Sequence, residues 1–178
     1  PHPAQGGTMR APIIGAVAGQ LVAAGFTSVR FNFRGVGEST GTHDGGIAEV
    51  SDVAAVVGFA EDTGSVRGIT GWSFGGAVSL IWQAQTASDL TYVGIAPPVA
   101  SPLTPGLPDA DALAVARRLF IVGERDQFVD APDLVAYAHR IGAEVEVYAG
   151  SDHFFVFKHD RLAADVVGFL ADERVDQA

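Results

Sequence analysis

The 178-residue chain predicts an α/β fold with a mostly parallel, doubly wound sheet. Short apolar segments rich in β-branched residues alternate with longer segments whose apolar residues have helical spacing. This alternation is typical of right-handed βαβ units, in which helices cover both faces of a parallel sheet. The length suits one domain, and neither a repeat nor a charge-rich linker divides the chain. We therefore expect residues 1–178 to form a single α/β domain.

Five short segments are predicted as buried strands. They are, in chain order, residues 28–33, 66–70, 90–95, 119–122 and 144–148. Five longer segments are predicted as helices: residues 9–24, 47–60, 74–87, 132–141 and 161–170. The second of these helices has an apolar stripe formed by Ile47, Val50, Val53, Val57 and Ala60. We expect Asp130 to cap the fourth helix, since Pro132 then lies in its first turn.

Composition and charge exclude several classes of function. A net charge of -10 argues against nucleic acid as a partner, because phosphate binding needs clustered Lys and Arg. The chain has no cysteine, which excludes disulfides and thiolate chemistry and favours a cytoplasmic location. No apolar run reaches the roughly 18 residues of a membrane span, so we expect no membrane association. The histidines are scattered without ligand spacing, so no metal site is predicted.

The loops that follow the predicted strands contain the candidate site. Ligands of open parallel sheets bind beyond the carboxyl ends of the strands. Ser73, Asp126 and His153 follow the second, fourth and fifth predicted strands, respectively. This order, Ser then Asp then His, matches one known arrangement of a catalytic triad. The three residues are therefore the predicted catalytic set.

Ser73 lies in the sequence Gly-Trp-Ser-Phe-Gly, residues 71–75, which fits the G-x-S-x-G pattern of a strand–turn–helix elbow. A nucleophile on such a strained turn needs small neighbours, so we expect Gly71 and Gly75 to let the strand and helix approach. Gly76 is expected to let the helix that begins at residue 74 pack closely against its neighbours. Free N–H groups at the helix N-terminus can then face a developing oxyanion. The alternative is an ordinary glycine-rich turn.

Asp126 is predicted to orient His153, and His153 is predicted to act as the general base. Glu124 and Asp130 are close rivals of Asp126, since all three lie near the end of the same predicted strand. A loop Asp that only makes a turn hydrogen bond is the alternative interpretation. Of the five histidines, only His153 and His2 are at strand-exit positions; the others have the pattern of surface or capping residues, namely His43, His139 and His159.

These segments together resemble the α/β-hydrolase superfamily, and more narrowly the small lidless hydrolases described as dienelactone-hydrolase-like or esterase-like. The resemblance lies in residues 1–9, 31–41, 71–76, 95–99 and 152–155. It implies that Ser73 is the nucleophile, His153 the general base and Asp126 its orienting carboxylate, with no cofactor. The family's first motif usually reads His-Pro-His-Pro, and the family has strands before it that this chain is expected to lack.

An oxyanion hole is implied by the same resemblance. One donor should be the backbone N–H of Phe74, the residue after the nucleophile. The family takes the second donor from the loop that precedes the first helix of this chain. Proline has no N–H, so Pro1 and Pro3 cannot donate. We predict Ala4 as the second donor, with His2 and Gln5 as alternatives.

The glycine-rich loop that begins at Arg34 invites a dinucleotide-binding interpretation, but the G-x-G-x-x-G pattern fails at Thr40. We therefore expect this loop to line the mouth of the site, with Arg34 as a possible structural ion-pair residue. Between Ser73 and Asp126 there is room for one helix, one strand and a loop over residues 96–110. No cap domain is predicted.

The predicted function is a serine hydrolase that cleaves small carboxylic esters or thioesters through an acyl-enzyme. The same triad could act on an amide, a peptide or a lactone. A different class of function is a catalytically silent binding protein on the hydrolase fold, since fold does not fix function. The expected partner is a small-molecule ester, and the sequence leaves the oligomeric state open.

Overall fold

The computed structural model describes residues 1–172, which contain four strands and five α-helices. The strands are β1 (Gly68–Trp72), β2 (Thr91–Ile95), β3 (Arg118–Gly123) and β4 (Glu144–Tyr148). The helices are α1 (Pro12–Ala23), α2 (Glu49–Thr63), α3 (Phe74–Thr86), α4 (Ala131–Arg140) and α5 (His159–Ala171). The prediction of one domain over residues 1–178 stays a prediction, since residues 173–178 lie outside the described range.

The four strands form one parallel sheet in the order β1-β2-β3-β4. At its carboxyl edge, Trp72 pairs with Ile95, and Ile95 pairs with Ile121. Gly123 pairs with Tyr148 at the same edge. Because the strands are parallel and in step, the loops that follow β1, β3 and β4 all leave from this edge. The predicted parallel α/β fold is confirmed.

Helices cover both faces of the sheet. On one face, the Tyr92 hydroxyl donates to the Gly76 carbonyl of α3 at 2.9 Å. On the same face, the Phe120 ring lies 5.8 Å from the ring of Tyr137 on α4. On the other face, Gly68 lies against Leu170 of α5, and α5 packs against α1. The sheet is therefore doubly wound, as predicted.

One predicted strand is absent. Residues 28–33 have no regular secondary structure and pair with no strand of the described chain. A cleft lies between this segment and β1, with Phe31 on one side and Thr70 and Trp72 on the other. A β-ladder needs two backbones about 4.8 Å apart, and the cleft separates these two. The prediction of a strand at 28–33 was therefore wrong, whereas the other four strands are confirmed within two residues.

The predicted helices are confirmed with shifted ends. α1 begins at Pro12 rather than at residue 9, because proline is well suited to the first turn, where its missing N–H is not needed. Ile47, predicted on the buried stripe of α2, precedes the helix and is 75% exposed. Of the other stripe residues, Val50, Val53 and Val57 are buried and Ala60 is half-buried. The Asp130 side chain accepts from the N–H of Asp133 at 2.9 Å, which confirms the predicted cap of α4.

The connection between β2 and β3 contains no cap domain. Residues 96–117 form an irregular loop with one three-residue 3₁₀ turn, Ala110–Ala112, and one isolated bridge between Ser101 and Thr104. The predicted lack of a cap is confirmed for this connection, so only loops surround the carboxyl edge of the sheet here. Among the helices of residues 1–172, none has the length and apolar character needed to cross a membrane.

Candidate active site

Ser73 occupies a strained turn between β1 and α3. Its backbone has φ 55° and ψ -121°, a region that residues with a side chain rarely adopt. The turn is held by two hydrogen bonds: the Ser73 N–H donates to the Ile95 carbonyl at 2.7 Å, and the Ala77 N–H donates to the Ser73 carbonyl at 3.1 Å. The side chain makes no capping hydrogen bond to the helix. Strain of this kind is concentrated at functional sites.

Gly71 and Gly76 allow the close approach of β1 and α3. A side-chain carbon at position 71 would lie 2.5 Å from the carbonyl carbon of Gly75 and 2.5 Å from the nitrogen of Gly76. A side-chain carbon at position 76 would lie 2.9 Å from the Gly71 carbonyl oxygen. At position 75 the nearest atom is in the Phe33 ring, 3.7 Å away, an ordinary contact. The requirement for a small residue is confirmed at position 71, but position 75 has room for a side-chain carbon, whereas position 76 does not.

The Asp126 carboxylate is fully buried and makes three hydrogen bonds. Its Oδ1 accepts from the N–H groups of Phe128 at 2.8 Å and Val129 at 2.9 Å. Its Oδ2 accepts from Nδ1 of His153 at 2.8 Å. A carboxylate only accepts, so Nδ1 carries the proton and Nε2 of the neutral ring has a free lone pair. The pair thus holds His153 in the tautomer that a general base needs.

The two rivals of Asp126 have other roles. Glu124 Oε2 accepts from the N–H of Gly150 at 2.7 Å and so ties the loops after β3 and β4 together. Asp130 caps α4. Neither carboxylate is bonded to His153 in the described part of the chain. Among the three candidates, Asp126 is the one whose carboxylate is hydrogen-bonded to His153 in the described residues.

His153 is 5% exposed and is held from its backbone as well as from its ring. The Trp72 indole N–H donates to the His153 carbonyl at 3.2 Å, and the His153 N–H donates to Gln127 Oε1 at 3.3 Å. Trp72 directly precedes Ser73, so this contact brings the loop of His153 beside the turn of Ser73. No hydrogen bond joins His153 Nε2 to Ser73 Oγ in residues 1–172; such bonds are often long before substrate binds.

Gly123, at the end of β3, lets the loops of Asp126 and His153 meet. A side-chain carbon there would lie 2.5 Å from the Ser151 carbonyl oxygen and 2.7 Å from that of Asp152. Close by, the N–H of Arg125 donates to the Ser151 carbonyl at 2.8 Å. Sequence reasoning missed this glycine. Its only signal was its position between a buried strand and the candidate carboxylate.

The predicted oxyanion donors differ in whether their backbone N–H groups already have an acceptor. Phe74 is the first residue of α3, where backbone N–H groups have no intrahelical acceptor. The Ala4 N–H donates to Nδ1 of His2 at 3.1 Å, and the Gln5 N–H donates to the His2 carbonyl at 3.1 Å. Of the three candidates for the second donor, His2 is the one whose backbone N–H has no acceptor in residues 1–172. Ala4 as a donor stays a prediction.

The rings of His2 and His43 pack around Phe74. Their centroids lie 5.0 Å and 5.4 Å, respectively, from that of Phe74. Because Nδ1 of His2 accepts from Ala4, its Nε2 carries the proton and donates to the Leu103 carbonyl at 2.9 Å. The start of the chain is thereby fastened to the loop between β2 and β3. These contacts place residues 2–5 beside the elbow.

Glu49 holds His43, one of the two histidines packed around Phe74. Its carboxylate is fully buried and accepts from His43 Nδ1 at 2.6 Å and from the N–H groups of Asp44 and Gly46, both at 2.9 Å. Burial raises the pKa of Glu49, but the hydrogen bonds from Asp44, its own N–H, His43 and Gly46 outweigh it, so the pKa is lowered. His43, predicted as a surface or capping residue, is instead half-buried and hydrogen-bonded to this buried carboxylate.

Arg34 forms a structural ion pair. Its guanidinium donates to Asp52 at 2.7 Å, and its backbone N–H donates to the same carboxylate at 3.0 Å. The hydrogen bond to Asp52 raises the pKa of Arg34. The ion-pair alternative for Arg34 is therefore confirmed. For metal binding, no cluster of three His, Asp or Glu residues with suitable placement occurs in the described range.

Comparison with known proteins gives a consistent set of relatives. No family model matches the chain. An uncharacterized protein of Rickettsia prowazekii is 28% identical over an alignment of 182 positions. The alignment covers 96% of this chain and 75% of that protein. An alpha-beta serine hydrolase homologue from Coxiella burnetii has a TM-score of 0.82 and 31% identity, with 94% of this chain and 80% of that chain covered. A serine hydrolase without lid from Xanthomonas campestris has a TM-score of 0.74 and 30% identity, with 96% and 75% covered.

Proposed function

The chain belongs to the α/β-hydrolase superfamily, and from this premise we propose that it is a serine hydrolase that cleaves small carboxylic esters or thioesters through an acyl-enzyme. The observation that carries the proposal is the 2.8 Å hydrogen bond from His153 Nδ1 to the buried Asp126 carboxylate. This pair lies beside the strained turn of Ser73. The arrangement supports nucleophilic catalysis by the serine hydroxyl.

In the first step, Ser73 Oγ attacks the acyl carbon and its proton passes to Nε2 of His153. The ring is then an imidazolium, which the adjacent Asp126 carboxylate stabilises without taking the proton. Asp126 has no exposed side-chain surface, so water does not weaken this interaction. The imidazolium next gives its proton to the leaving alcohol or thiol as the bond to the acyl carbon breaks.

Negative charge on the acyl oxygen needs N–H donors that are already in place. The N–H of Phe74 is proposed as the first donor. The second is proposed to come from the loop of residues 2–5. Ala4 can serve if its N–H leaves His2 Nδ1, whereas the N–H of His2 has no competing acceptor in the described chain.

In the second step, water takes the place of the leaving group, and His153 removes its proton as the water attacks the acyl-enzyme. Ser73 then regains its proton and the acid is released. The connection of residues 96–117 contains no helical cap, so water has access to the site. An open site suits hydrolysis of small esters better than chemistry that must exclude water. The cytoplasmic location inferred from the lack of cysteine stays a prediction.

The test is turnover of p-nitrophenyl acetate and butyrate by the wild-type protein and by Ser73→Ala. We expect the variant to lose about 10³-fold or more in kcat/KM, because the covalent route is removed. Ser51→Ala, an exposed serine on α2, is the matched control. Retained turnover in Ser73→Ala would contradict the proposal. A folded wild-type protein without turnover on esters, thioesters, amides and lactones would favour a binding function.

A further inference from the structure

Two exposed phenylalanines flank the ring of His153. Phe128 is 64% exposed and Phe154 is 44% exposed, which is unusual for side chains of this size. Their ring centroids lie 5.1 Å and 5.7 Å from that of His153, and 6.2 Å from each other. The three rings meet edge to face. We refer to Phe128 and Phe154 together as the aromatic platform.

The backbone of the His153 loop is strained at Phe155, the residue that follows Phe154. Phe155 has φ 49°, in the left-handed region, and its side chain is fully buried against Tyr148 at 5.5 Å. Burial of Phe155 offsets the strain, whereas the adjacent Phe154 stays 44% exposed. Both members of the platform are thus exposed, although the neighbouring Phe155 is fully buried.

The backbone that carries the aromatic platform is also held in place. The N–H of Phe128 donates to Asp126 Oδ1 at 2.8 Å, and the N–H of Phe154 donates to Asp152 Oδ1 at 3.1 Å. The Phe154 carbonyl accepts from Nε2 of His159 at 2.9 Å. A surface fixed before a ligand arrives loses less entropy when it binds one. The platform is thus suited to recognition.

The size of the platform matches a small ligand. A phenylalanine has an area of about 200 Å², so these exposed fractions leave about 200 Å² in total. A stable protein–protein interface needs about 800 Å² on each partner. One aromatic ring of a ligand would cover the platform, and its contact with His153 makes it continuous with the proposed reaction centre.

We propose that the aromatic platform binds the alcohol part of the ester and favours aromatic alcohols. This inference rests on the proposed function. His153 gives its proton to the oxygen of the leaving alcohol while the bond from that oxygen to the acyl carbon breaks, and the electron pair of the bond stays on the oxygen. The leaving alcohol must therefore lie against His153, where Phe128 and Phe154 are. Aromatic rings that meet in this way attract each other beyond their buried area.

The test compares benzyl acetate with methyl acetate. Both esters give the same acetyl-enzyme, and their alcohols have similar acidity, so the ratio of their kcat/KM values reports recognition of the alcohol. We expect the wild-type protein to favour benzyl acetate, and we expect Phe128→Leu and Phe154→Leu each to lower the ratio by about threefold to tenfold. The matched control is Phe157→Leu, since Phe157 is 100% exposed on the same loop without ring contact to His153; its ratio should equal that of the wild type.

Each outcome bears on the inference in one direction. A ratio that is unchanged in both platform variants would overturn it, as would an equal fall in Phe157→Leu. An unchanged ratio together with a loss of dimers in the platform variants would show that the surface binds a second copy instead. Failure of the proposed function is recognised separately, because wild-type protein would then hydrolyse neither acetate and would not react with a fluorophosphonate.

Discussion

A side-chain carbon at position 123 would lie 2.5 Å from the carbonyl oxygen of Ser151, closer than two such atoms can approach. Gly123 ends β3, the strand that precedes the Asp126 loop, and Ser151 lies in the loop that follows β4 and holds His153. The hydrogen bond between Asp126 and His153 therefore depends on the absence of a side chain at position 123. This position is at the end of β3, whereas Ser73 follows β1. This dependence leads to the first prediction.

Gly123→Ala should lower kcat/KM for p-nitrophenyl acetate by about 10²-fold, because displacement of the loop by about 1 Å separates the base from its carboxylate. The measurement is steady-state hydrolysis, with circular dichroism to confirm folding. The control is Gly168→Ala in α5, where a side-chain carbon meets nothing within 4 Å. Wild-type activity in Gly123→Ala would contradict the role assigned to this glycine.

The glycines of the elbow should differ in their tolerance of a side chain. Gly71→Ala brings a carbon within 2.5 Å of backbone atoms, so we expect a loss of about 2 kcal/mol or more in the free energy of unfolding. Gly75→Ala adds only an ordinary contact at 3.7 Å, so its free energy of unfolding should stay within about 1 kcal/mol of the wild type. Urea denaturation measures both. Equal losses would show that the two positions are packed alike.

Asp126→Asn should lower kcat by about 10⁴-fold while the protein stays folded. The amide can direct its N–H toward Nδ1 of His153, which places the ring proton on Nε2 and removes the base. Glu124→Gln is the matched control, because Glu124 bonds to Gly150 rather than to His153. A similar fall in kcat for both variants would indicate that any change in this loop lowers activity. The assignment of Asp126 as the carboxylate that orients His153 would then be wrong.

Glu49 should make the stability of the protein depend on acidic pH. Its pKa in the folded state is below its ordinary value of 4.5, so the ionised form is favoured by folding. This contribution is complete above about pH 4.5 and is lost as the pH falls through the lowered pKa of the folded state. Urea unfolding from about pH 6 to about pH 3 should show a steeper loss of stability for the wild type than for Glu49→Gln. Parallel curves would contradict the prediction.

The sequence could predict where the candidate residues lie because all three follow strand ends. Parallel strands bring their carboxyl ends to one edge, so Ser73, Asp126 and His153 were expected near each other before any contact was known. Which carboxylate meets His153 was a different matter. Glu124, Asp126 and Asp130 are separated by a few residues, and only the path of the loop decides among them.

Other features depended on neighbours that are distant in the sequence. Residues 28–33 have strand-like composition, but a ladder needs a second backbone, and here a cleft separates the segment from β1. Gly123 has no motif of its own, since its role comes from Ser151 across the sheet edge. The engagement of the Ala4 N–H by His2 is likewise a side-chain contact that spacing does not reveal.

The most direct test of the central claim is labelling of the wild-type protein with a fluorophosphonate, followed by mass spectrometry of its peptides. We expect one phosphonyl group on the peptide that contains Ser73, and none on Ser73→Ala. Asp126→Asn should be labelled much more slowly, because the hydroxyl then lacks its base. A folded wild-type protein that stays unlabelled, or that is labelled at another residue, would contradict the claim that Ser73 is an activated nucleophile.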